Sequence, residues 1–485
     1  MVSVPRMSET ARNTRWDGAG LDVALLGIGA LLIRLPAYFS SRELVVDEGV
    51  YSSAALAMRD GAKPFEQVFS AQGPLHLPLV YVFDLLGGRT LDSPRLLAVV
   101  SGVVVTLAVY ATGRLIGTRS SALLAAALDA TTGSILWTTA PLTGDGPAAA
   151  LTALAVLGAF AWRDRPSTTC AVLTGLAMGA ALAVKVLVAV AAIPIALLFL
   201  LASTPVRRRV VELAAAVATA VVVIVASTLP WGVHRVIDQS VTYHTKAPAL
   251  ETVGEQFNKL VSTVPSRDLP LLVAVVVGLV AAAVGARRRG TAPANGRDVA
   301  IVLAWFVPLT LLLVFEKNMW RPHIAALMLP LALLVALRPP PMRVFALALV
   351  FLMPWWAVHL HDILWPAPYH GAAADAIAQM RALPKGAWVM SDDPGLPWRA
   401  GRRVPANLVD GSVLRIDEHL VTTATVRAAA ADPKVCIVLV WSDRWGEDLP
   451  GLPGALRHVG YTLEHHYGPN HDLWSKSSRA CTTSS

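Results

Sequence analysis

The sequence predicts an α-helical protein that crosses a membrane many times, and two features of its composition carry this prediction. First, 55% of the 485 residues are hydrophobic and only 15% are charged, whereas an average soluble domain carries roughly a quarter charged residues. Second, the apolar residues form long blocks rich in Ala, Val and Leu, and short clusters of Arg separate the blocks. This alternation is typical of membrane-spanning helices and argues against a water-soluble fold.

About eleven apolar segments approach the length of a membrane span, since roughly 20 helical residues cross about 30 Å of hydrocarbon. Their approximate ranges are 21–39, 94–113, 120–138, 147–162, 168–184, 186–203, 210–231, 269–286, 298–315, 323–337 and 343–360. The stretch 75–86 is too short to span and is interpreted as a helix at the membrane interface. The polar N-terminus lacks a small-residue cleavage site after the first apolar run, so that run is expected to stay as a helix.

Clusters of arginine predict the side of the membrane on which each connector lies. The Arg-rich connectors alternate along the chain and are placed in the cytoplasm; they contain Arg114 and Arg119, Arg163 and Arg165, Arg207 to Arg209, Arg287 to Arg289, and Arg338 with Arg343. The other set then faces outward: 40–93 (the first loop), 139–146, 232–268, 316–322 and the chain after 361. The formal net charge of +8 is therefore interpreted as a topology signal rather than as nucleic-acid binding.

The composition changes near residue 362, where charged residues and Pro become more frequent and short apolar runs alternate with helical patterns. We therefore predict two domains, a membrane domain at 1–361 and a small α/β domain at 362–485, the C-terminal region, on the outer side. Cys436 and Cys481 both fall in this region and could form a disulfide if it faces an oxidising compartment; whether they pair stays open. Cys170 falls in a predicted span.

Two adjacent carboxylates, Asp47 and Glu48, follow the first predicted span. They could be N-terminal charges of a helix that runs from Gly49 to Arg59. They could also be a catalytic base and a neighbouring helper. An isolated Asp-Glu pair favours the first interpretation, but the residues that follow favour the second.

A longer pattern continues from this pair: D-E-G-x-Y, then M-x-x-G-x-x-P-F, then G-P-L before an apolar helix. It consists of Asp47, Glu48, Tyr51, Met58, Gly61, Pro64, Phe65, Pro74 and Leu75. This pattern resembles the first outer loop of the protein O-mannosyltransferase and lipid A aminoarabinose transferase superfamily, which are C-type glycosyltransferases. The resemblance continues through G-R-L-I-G at 113–117. Many such enzymes carry a basic residue before the Pro-Leu pair, whereas Gln72 and Gly73 stand here.

The resemblance implies a C-type glycosyltransferase fold and transfer of a sugar from a polyprenyl-phosphate donor at the outer face of the plasma membrane. The implied acceptor is a cell-wall glycan, a lipoglycan or a protein. It also implies that Asp47 is the catalytic carboxylate. An inverting enzyme needs one such group to take the acceptor proton opposite the leaving phosphate. Glu48 could share this task, bind the acceptor or only cap the helix.

Further candidates for the site lie in the other predicted outer connectors. Asp145 precedes Pro147 in a turn and could be a helix N-cap or line the site. A departing lipid phosphate needs nearby cations, and the candidates are Lys185, Lys317, Arg321 and His323. The alternative for these cations is snorkelling to lipid headgroups.

The loop 232–268 contains Tyr243 and His244 and could cover the lipid-linked donor, or it could be an ordinary amphipathic connector. Tyr51 of the first loop is the remaining candidate for substrate binding. No HExxH, paired CxxC, Walker or GxGxxG motif occurs in the sequence, which argues against a structural zinc site and against nucleotide-driven chemistry. A divalent cation stays open as a cofactor, because some related oligosaccharyltransferases use one and other relatives do not.

Two other classes of function compete with sugar transfer. A transporter or a lipid-linked-sugar flippase would place charges near the membrane midplane, and Asp129 and Glu212 are the main residues of that kind. A non-catalytic scaffold of the cell envelope would use the C-terminal region as its binding element. The acidic residues of interest lie in outer connectors rather than within spans, which favours the transferase.

Overall fold

The computed structural model describes residues 17–289, 295–477 and 481, and the first part of the chain is a bundle of helices. Seven helical segments among the described residues are long and apolar enough to cross a membrane: Ala19–Tyr38, Ser93–Ile116, Asp145–Asp164, Val206–Trp231, Val253–Arg288, Gly296–Phe315 and Met342–His359. Shorter apolar helices are His76–Leu86, Thr168–Val184, Val186–Leu200 and Arg321–Leu337. The protein is thus a multi-pass membrane protein of the predicted helical class. The polar N-terminus, 1–16, lies outside the described residues.

The longer helices of this part are α1 (Ala19–Leu32), α2 (Val46–Arg59), α3 (His76–Leu86), α4 (Leu96–Ile116), α5 (Arg119–Thr131), α6 (Gly133–Thr139), α7 (Asp145–Asp164), α8 (Thr168–Val184), α9 (Ala192–Leu200), α10 (Val206–Thr228), α11 (Val253–Arg289), α12 (Gly296–Phe315), α13 (Ala325–Leu337) and α14 (Met342–His359). Shorter helical turns are Leu35–Tyr38, Ser93–Arg95, Val186–Ala191, Leu229–Trp231, Val233–Ile237, Asp238–Thr242, Tyr243–Lys246, Arg321–Ile324 and His361–Leu364.

The span predicted at 120–138 is not one continuous helix. The chain is extended at Thr132, which separates α5 from α6. The carboxylate of Asp268 accepts hydrogen bonds from the backbone N–H and the hydroxyl of Ser134, at 2.9 and 2.6 Å. A carboxylate at the start of a helix satisfies free N–H groups and interacts favourably with the helix dipole. A side chain from a distant helix therefore stabilises the interruption.

Helix α11 contains a kink at Asp268, where the backbone is not helical, and Pro265 and Pro270 flank it. Proline removes a helical hydrogen bond and bends the helix. The kink divides α11 into a first segment and an apolar segment from Leu269 onward. The predicted span at 269–286 therefore begins where the kink ends.

Close helix packing in the bundle depends on two glycines of α8. A side chain at Gly175 or Gly179 would clash with the backbone of α10 at Ala216 and Ala220. Small residues four positions apart let two membrane helices approach closely. The main core lies among the neighbouring helices α4, α5, α7 and α13, and it includes the fully buried Trp162 of α7.

The C-terminal region is a small α/β unit. It contains α15 (Gly371–Ala382), β1 (Trp388–Ser391), α16 (Gly395–Arg399), α17 (Val413–Asp417), α18 (Thr423–Ala430), β2 (Val435–Val440), α19 (Leu452–His458), β3 (Tyr461–Gly468) and β4 (His471–Lys476), with short turns at Ala406–Leu408 and Asp443–Gly446. The strands lie in the order β1-β2-β4-β3. Strands β1 and β2 are parallel, and the other neighbours are antiparallel. Cys436 of β2 is bonded to Cys481, with Cα atoms 5.4 Å apart, so the disulfide that the sequence left open is present.

The C-terminal region packs directly on the first loop. The guanidinium of Arg399 pairs with Asp92 at 2.7 Å, and the indole N–H of Trp398 donates to the carbonyl of Leu91 at 3.0 Å. The hydroxyl of Ser53 in α2 donates to the carbonyl of Pro394 at 3.1 Å. Because these groups are largely buried, the contact fixes α2 from the side of the C-terminal region.

Candidate active site

Asp47 lies in the first turn of α2 and is half-buried. Within the part of the chain that the structure describes, its carboxylate has neither a hydrogen-bond partner nor an ion-pair partner. Burial raises the pKa of Asp47 to about 6; Lys185 and His323 act against this rise, and Asp145 and Asp410 add to it. Such interactions require proximity. The unpaired carboxylate of Asp47 therefore lies near these four side chains.

Asp145 and Lys185 form an ion pair beside Asp47. Asp145 is the first residue of α7, and Lys185 lies in the break after α8. The ammonium of Lys185 lies 2.7 Å from each oxygen of the Asp145 carboxylate. Both side chains are largely buried, with 12% and 8% of their surface exposed for Lys185 and Asp145. Asp145 is inside the helix rather than at its N-cap, which is Gly144.

The Gly-Pro-Leu segment of the first loop positions Lys185. The backbone N–H of Gly73 donates to the carbonyl of Val184, and that of Leu75 donates to the carbonyl of Ala183, both at 2.9 Å. The segment thus pairs with the end of α8, one residue before Lys185. A side chain at Gly73 would overlap the Ala183 carbonyl, so this close approach requires glycine.

Tyr51 lies one turn after Asp47, and its side chain is buried. Burial, with Asp47, Asp410 and Asp145 nearby, raises the pKa of the Tyr51 hydroxyl well above its usual value, while a hydrogen bond with Gln72 opposes the rise. The Gln72 side chain also lies against Gly144. Gln72, where the sequence departs from the pattern of the similar enzymes, therefore lies inside the candidate site.

Tyr243 and His244 belong to the 232–268 connector, which packs over the first loop. The hydroxyl of Tyr243 is 3.2 Å from that of Ser412 in the C-terminal region, and a ring nitrogen of His244 is 2.8 Å from the carbonyl oxygen of Ala71. Burial raises the pKa of Tyr243. Burial also lowers the pKa of His244, and Lys185 and His323 lower it further. His244 therefore lies near the cations of the site.

The three cations predicted in the 316–323 connector occupy different places. A ring nitrogen of His323 is 2.8 Å from a carboxylate oxygen of Glu316, and His323 is close enough to act on Asp47. Lys317 instead donates to the carbonyls of Thr245 and Ala247, at 2.6 and 3.2 Å. Arg321 is exposed. Lys185 and His323 are therefore the predicted cations that act on Asp47, whereas Lys317 joins two connectors.

Glu48 points into the protein rather than into the candidate site. Its side chain is fully buried, and its oxygens lie 2.8 and 3.0 Å from the guanidinium of Arg95. The backbone N–H groups of Leu44 and Leu142 also donate to it, at 2.9 and 3.3 Å. Of the roles left open for Glu48, these contacts favour the structural one over catalysis or acceptor binding.

An apolar cavity begins at Asp145 and is lined by α7, the turn after Lys185, α12 and α13. A second apolar cavity shares Trp305 and Leu329 with it and reaches Val156 of α7. The charged site therefore opens onto apolar space inside the bundle. Across residues 17–289, 295–477 and 481, no group of three or more His, Cys, Asp or Glu side chains is arranged to hold a metal ion.

Three residues of the site were missed by the sequence analysis. Asp410 belongs to the C-terminal region and carried no motif. Gln72 was noted only as a departure from a pattern. His76 is fully buried beside Tyr51, with ring centres 4.4 Å apart, and burial lowers its pKa to about 3. A lone His in an apolar run gives no signal of this position.

Comparison with known proteins finds one similar family and several similar structures. A family model described as dolichyl-phosphate-mannose-protein mannosyltransferase matches residues 72–231. The structure is similar to ArnT from Cupriavidus metallidurans bound to undecaprenyl phosphate, with a TM-score of 0.65, 14% identity, and coverage of 95% of this chain and 99% of that one. No curated protein matched in sequence.

Two more distant structures share the architecture. The oligosaccharyltransferase AglB from Archaeoglobus fulgidus, in complex with an inhibitory peptide and a dolichol-phosphate, has a TM-score of 0.50 at 13% identity, with 94% of this chain and 74% of that chain covered. The arabinofuranosyltransferase AftD from mycobacteria has a TM-score of 0.51 at 15% identity, with 98% and 42% covered. The chain has the fold of the C-type glycosyltransferases, and the resemblance predicted from its first loop is confirmed.

Proposed function

We propose that this protein transfers a sugar from a polyprenyl-phosphate donor to a hydroxyl of an envelope acceptor, with inversion at the sugar carbon. The acceptor is a cell-wall glycan, a lipoglycan or a protein. The observation that carries the proposal is the unpaired carboxylate of Asp47 near the Asp145–Lys185 ion pair, whose Asp145 lines an apolar cavity.

Asp47 would act as the general base. The acceptor hydroxyl gives its proton to the Asp47 carboxylate while its oxygen bonds to the sugar carbon, and the bond from that carbon to the phosphate oxygen breaks with its electron pair. A pKa of about 6 keeps the carboxylate ionised at neutral pH yet makes it a stronger base than an ordinary Asp. Its lack of an ion-pair partner leaves it available for the proton.

Lys185 would stabilise the leaving phosphate, because a cation offsets the charge that develops as the bond breaks. The Asp145 carboxylate holds the ammonium in place at 2.7 Å. The isoprenoid chain would enter the apolar cavity that starts at Asp145. The similar structure of ArnT contains undecaprenyl phosphate, and that of AglB contains a dolichol-phosphate, which supports a lipid phosphate as the donor carrier.

The test is Asp47→Asn in the purified full chain, with a panel of synthetic polyprenyl-phosphate sugars and envelope extract as the acceptor source. We expect transfer to fall by about 10²- to 10⁴-fold, the contribution of a general base, while binding of undecaprenyl phosphate is retained. Glu66→Gln is the control, because Glu66 is an exposed carboxylate of the same loop. Near-normal transfer by Asp47→Asn would refute the assignment.

The same panel addresses the transporter or flippase alternative. A flippase would move the lipid-linked sugar across a vesicle membrane without forming a new glycosidic product, in the wild type and in Asp47→Asn alike. A transferase forms product only when Asp47 is intact. Glu212, one of the charges that suggested a transporter, lies near the start of α10 and pairs with Arg208 at 2.9 Å, which supports a structural role.

We also propose that the site and the C-terminal region face away from the cytoplasm of the plasma membrane. The Arg-rich connectors support this orientation. A cysteine placed at the exposed Leu420 should react with a membrane-impermeant maleimide in intact cells, whereas one at Arg207 in an Arg-rich connector should react only after permeabilisation. Reversed labelling would overturn the orientation. The wild type measures the background from Cys170, the free cysteine of the described chain.

A further inference from the structure

A segment of the C-terminal region, residues 404–415, packs against the helix that carries Asp47. Val404 and Val409 are buried in one cluster with Tyr51 of the first loop and Leu142. Leu414 is buried against Tyr243. This segment therefore contacts both the helix that carries Asp47 and the connector that covers the site.

Asp410 lies in the middle of this segment, and only 8% of its surface is exposed. One carboxylate oxygen accepts a hydrogen bond from the backbone N–H of Ser412 at 2.9 Å. Among the described residues its carboxylate has no ion-pair partner. An ionised carboxylate has about four acceptor positions, so most of its capacity to accept hydrogen bonds is unused.

Arg415 is close enough to Asp410 for their charges to interact, but the two side chains form no salt bridge. The guanidinium of Arg415 donates to the backbone carbonyls of Asn407, at 3.1 Å, and of Asp410 itself. It also lies over the ring of Phe69, 4.4 Å from the ring centre. Arg415 thus holds the segment against the first loop, and its hydrogen bonds go to backbone carbonyls rather than to the Asp410 carboxylate.

The charge of Asp410 acts on three groups of the site. It raises the pKa of Asp47, of Tyr51 and of Tyr243, which requires that its carboxylate be close to all three. A second unpaired carboxylate near Asp47 costs free energy in the empty protein. The turn at Ser412 does not explain this cost, because an asparagine would accept the same hydrogen bond.

We propose that Asp410 is an acceptor-binding residue that the C-terminal region contributes to the site: it accepts a hydrogen bond from a second hydroxyl of the acceptor, next to the hydroxyl that Asp47 deprotonates. The acceptor is then a polyol such as a sugar residue. This inference rests on the proposed function. Asp410 repels a negatively charged donor phosphate, and Lys185 attracts it. The acceptor is therefore placed on the Asp410 side of Asp47 and the donor on the Lys185 side.

The first test is Asp410→Asn, which keeps the hydrogen bond to Ser412 but removes the charge. In the transfer assay we expect kcat/KM for a carbohydrate acceptor to fall roughly 10- to 100-fold, the range for a hydrogen bond to a charged group. KM for the donor should not rise, because the variant removes a charge that repels the donor phosphate. Asp417→Asn is the matched control, because Asp417 is exposed on the adjacent helix α17. Equal acceptor kinetics in Asp410→Asn and the wild type would overturn the proposal.

The second test needs no substrate. A carbodiimide modifies protonated carboxyl groups, so mass spectrometry of labelled Asp47 as a function of pH reports its titration in the full chain. Labelling should be half-maximal near pH 6 in the wild type, as the pKa of about 6 requires, and at lower pH in Asp410→Asn, because a nearby negative charge is lost. Asp410→Glu should return toward the wild-type value and Asp417→Asn should match it.

The two tests distinguish failure of the inference about Asp410 from failure of the proposed function. An unchanged labelling profile in Asp410→Asn would show that Asp410 does not face Asp47, and it would overturn the inference whatever the enzyme does. A shifted profile in a chain that transfers no sugar would refute the proposed function and the acceptor role, while supporting the placement of Asp410 beside Asp47.

Discussion

Two neighbouring carboxylates at the start of α2 have opposite environments. Glu48 is fully buried and meets Arg95 and two backbone N–H groups. Arg95 in turn donates to backbone carbonyls of the chain before α2 and lies 4.9 Å from the ring centre of Trp398. Asp47, one residue earlier, has no such partner within the described chain and stands beside the Asp145–Lys185 pair.

The difference separates a stabilising cluster from the candidate reactive one. A buried ion pair whose hydrogen bonds are all satisfied resists change, because removal of one partner leaves an uncompensated charge. A carboxylate without partners is destabilised when ionised, and the same feature makes it a better base. The Glu48 cluster holds α2 rigidly, so that Asp47 keeps its position relative to Lys185.

The largest effect that we expect on stability comes from Glu48→Ala. It leaves Arg95 buried without its carboxylate, and such changes cost about 3–5 kcal/mol. Asp47→Ala should leave stability unchanged or raise it slightly, since it removes a buried and unpaired charge. Thermal unfolding of both variants in nanodiscs measures the difference. If Glu48→Ala unfolds at the wild-type temperature, the assignment of Glu48 as structural is wrong.

The next effect concerns Lys185→Met, which removes the ammonium but keeps an apolar side chain. We expect binding of undecaprenyl phosphate to weaken by about 10- to 100-fold, the range for charge-assisted hydrogen bonds. Turnover should fall as well, because phosphate contacts form in the ground state and strengthen as charge develops. Stability should also fall, since Asp145 loses its partner.

The double variant Lys185→Met with Asp145→Asn distinguishes these causes. It removes both buried charges, so stability should return toward the wild type, whereas binding of undecaprenyl phosphate should not. Restored binding in the double variant would show that Lys185 acts only by neutralising Asp145. Isothermal titration and thermal unfolding on the same samples give both quantities.

The fold could be predicted from the sequence largely because the lipid environment imposes its own length scale. Apolar blocks of about 20 residues identify spans without any knowledge of tertiary contacts. The interruption of 120–138 could not be predicted in this way. It depends on Asp268, whose carboxylate reaches Ser134 only after the helices have packed.

Residues of the candidate site could be predicted where a local sequence motif indicates the chemistry. They were harder to predict where only tertiary contacts determine a residue's position. Asp47, Asp145 and Lys185 were named as candidates, and the structure brings them together. Lys317 was proposed to bind phosphate but donates to backbone carbonyls. Asp410 could not be found, since nothing in its local sequence indicates that the C-terminal region folds over the first loop.

A change of pH should have a smaller effect on kcat/KM and on stability. Asp47 must be ionised to accept a proton, and its pKa is raised to about 6, so kcat/KM should fall as pH drops below 6, approaching tenfold per pH unit. Stability should change in the opposite sense, because the folded state binds more protons than the unfolded state between pH 6 and the ordinary Asp value near 4. Asp47 thus favours folding more as pH falls through that range. A transfer rate independent of pH between 5 and 7 would contradict Asp47 as the base.

The smallest effect should come from an exposed ion pair at the same contact between the first loop and the C-terminal region. The guanidinium of Arg403 lies 2.6 Å from the carboxylate of Asp60, with 51% and 35% of their side-chain surfaces exposed. Solvent and salt screen such a pair, so Arg403→Gln should cost at most about 1 kcal/mol and less at high salt. Glu48→Ala should cost several times more, with little dependence on salt, because its pair is buried. If urea or thermal unfolding gave equal losses for the two variants, burial would not be what distinguishes the pairs, and the rigid support assigned to the Glu48–Arg95 cluster would have to come from another contact.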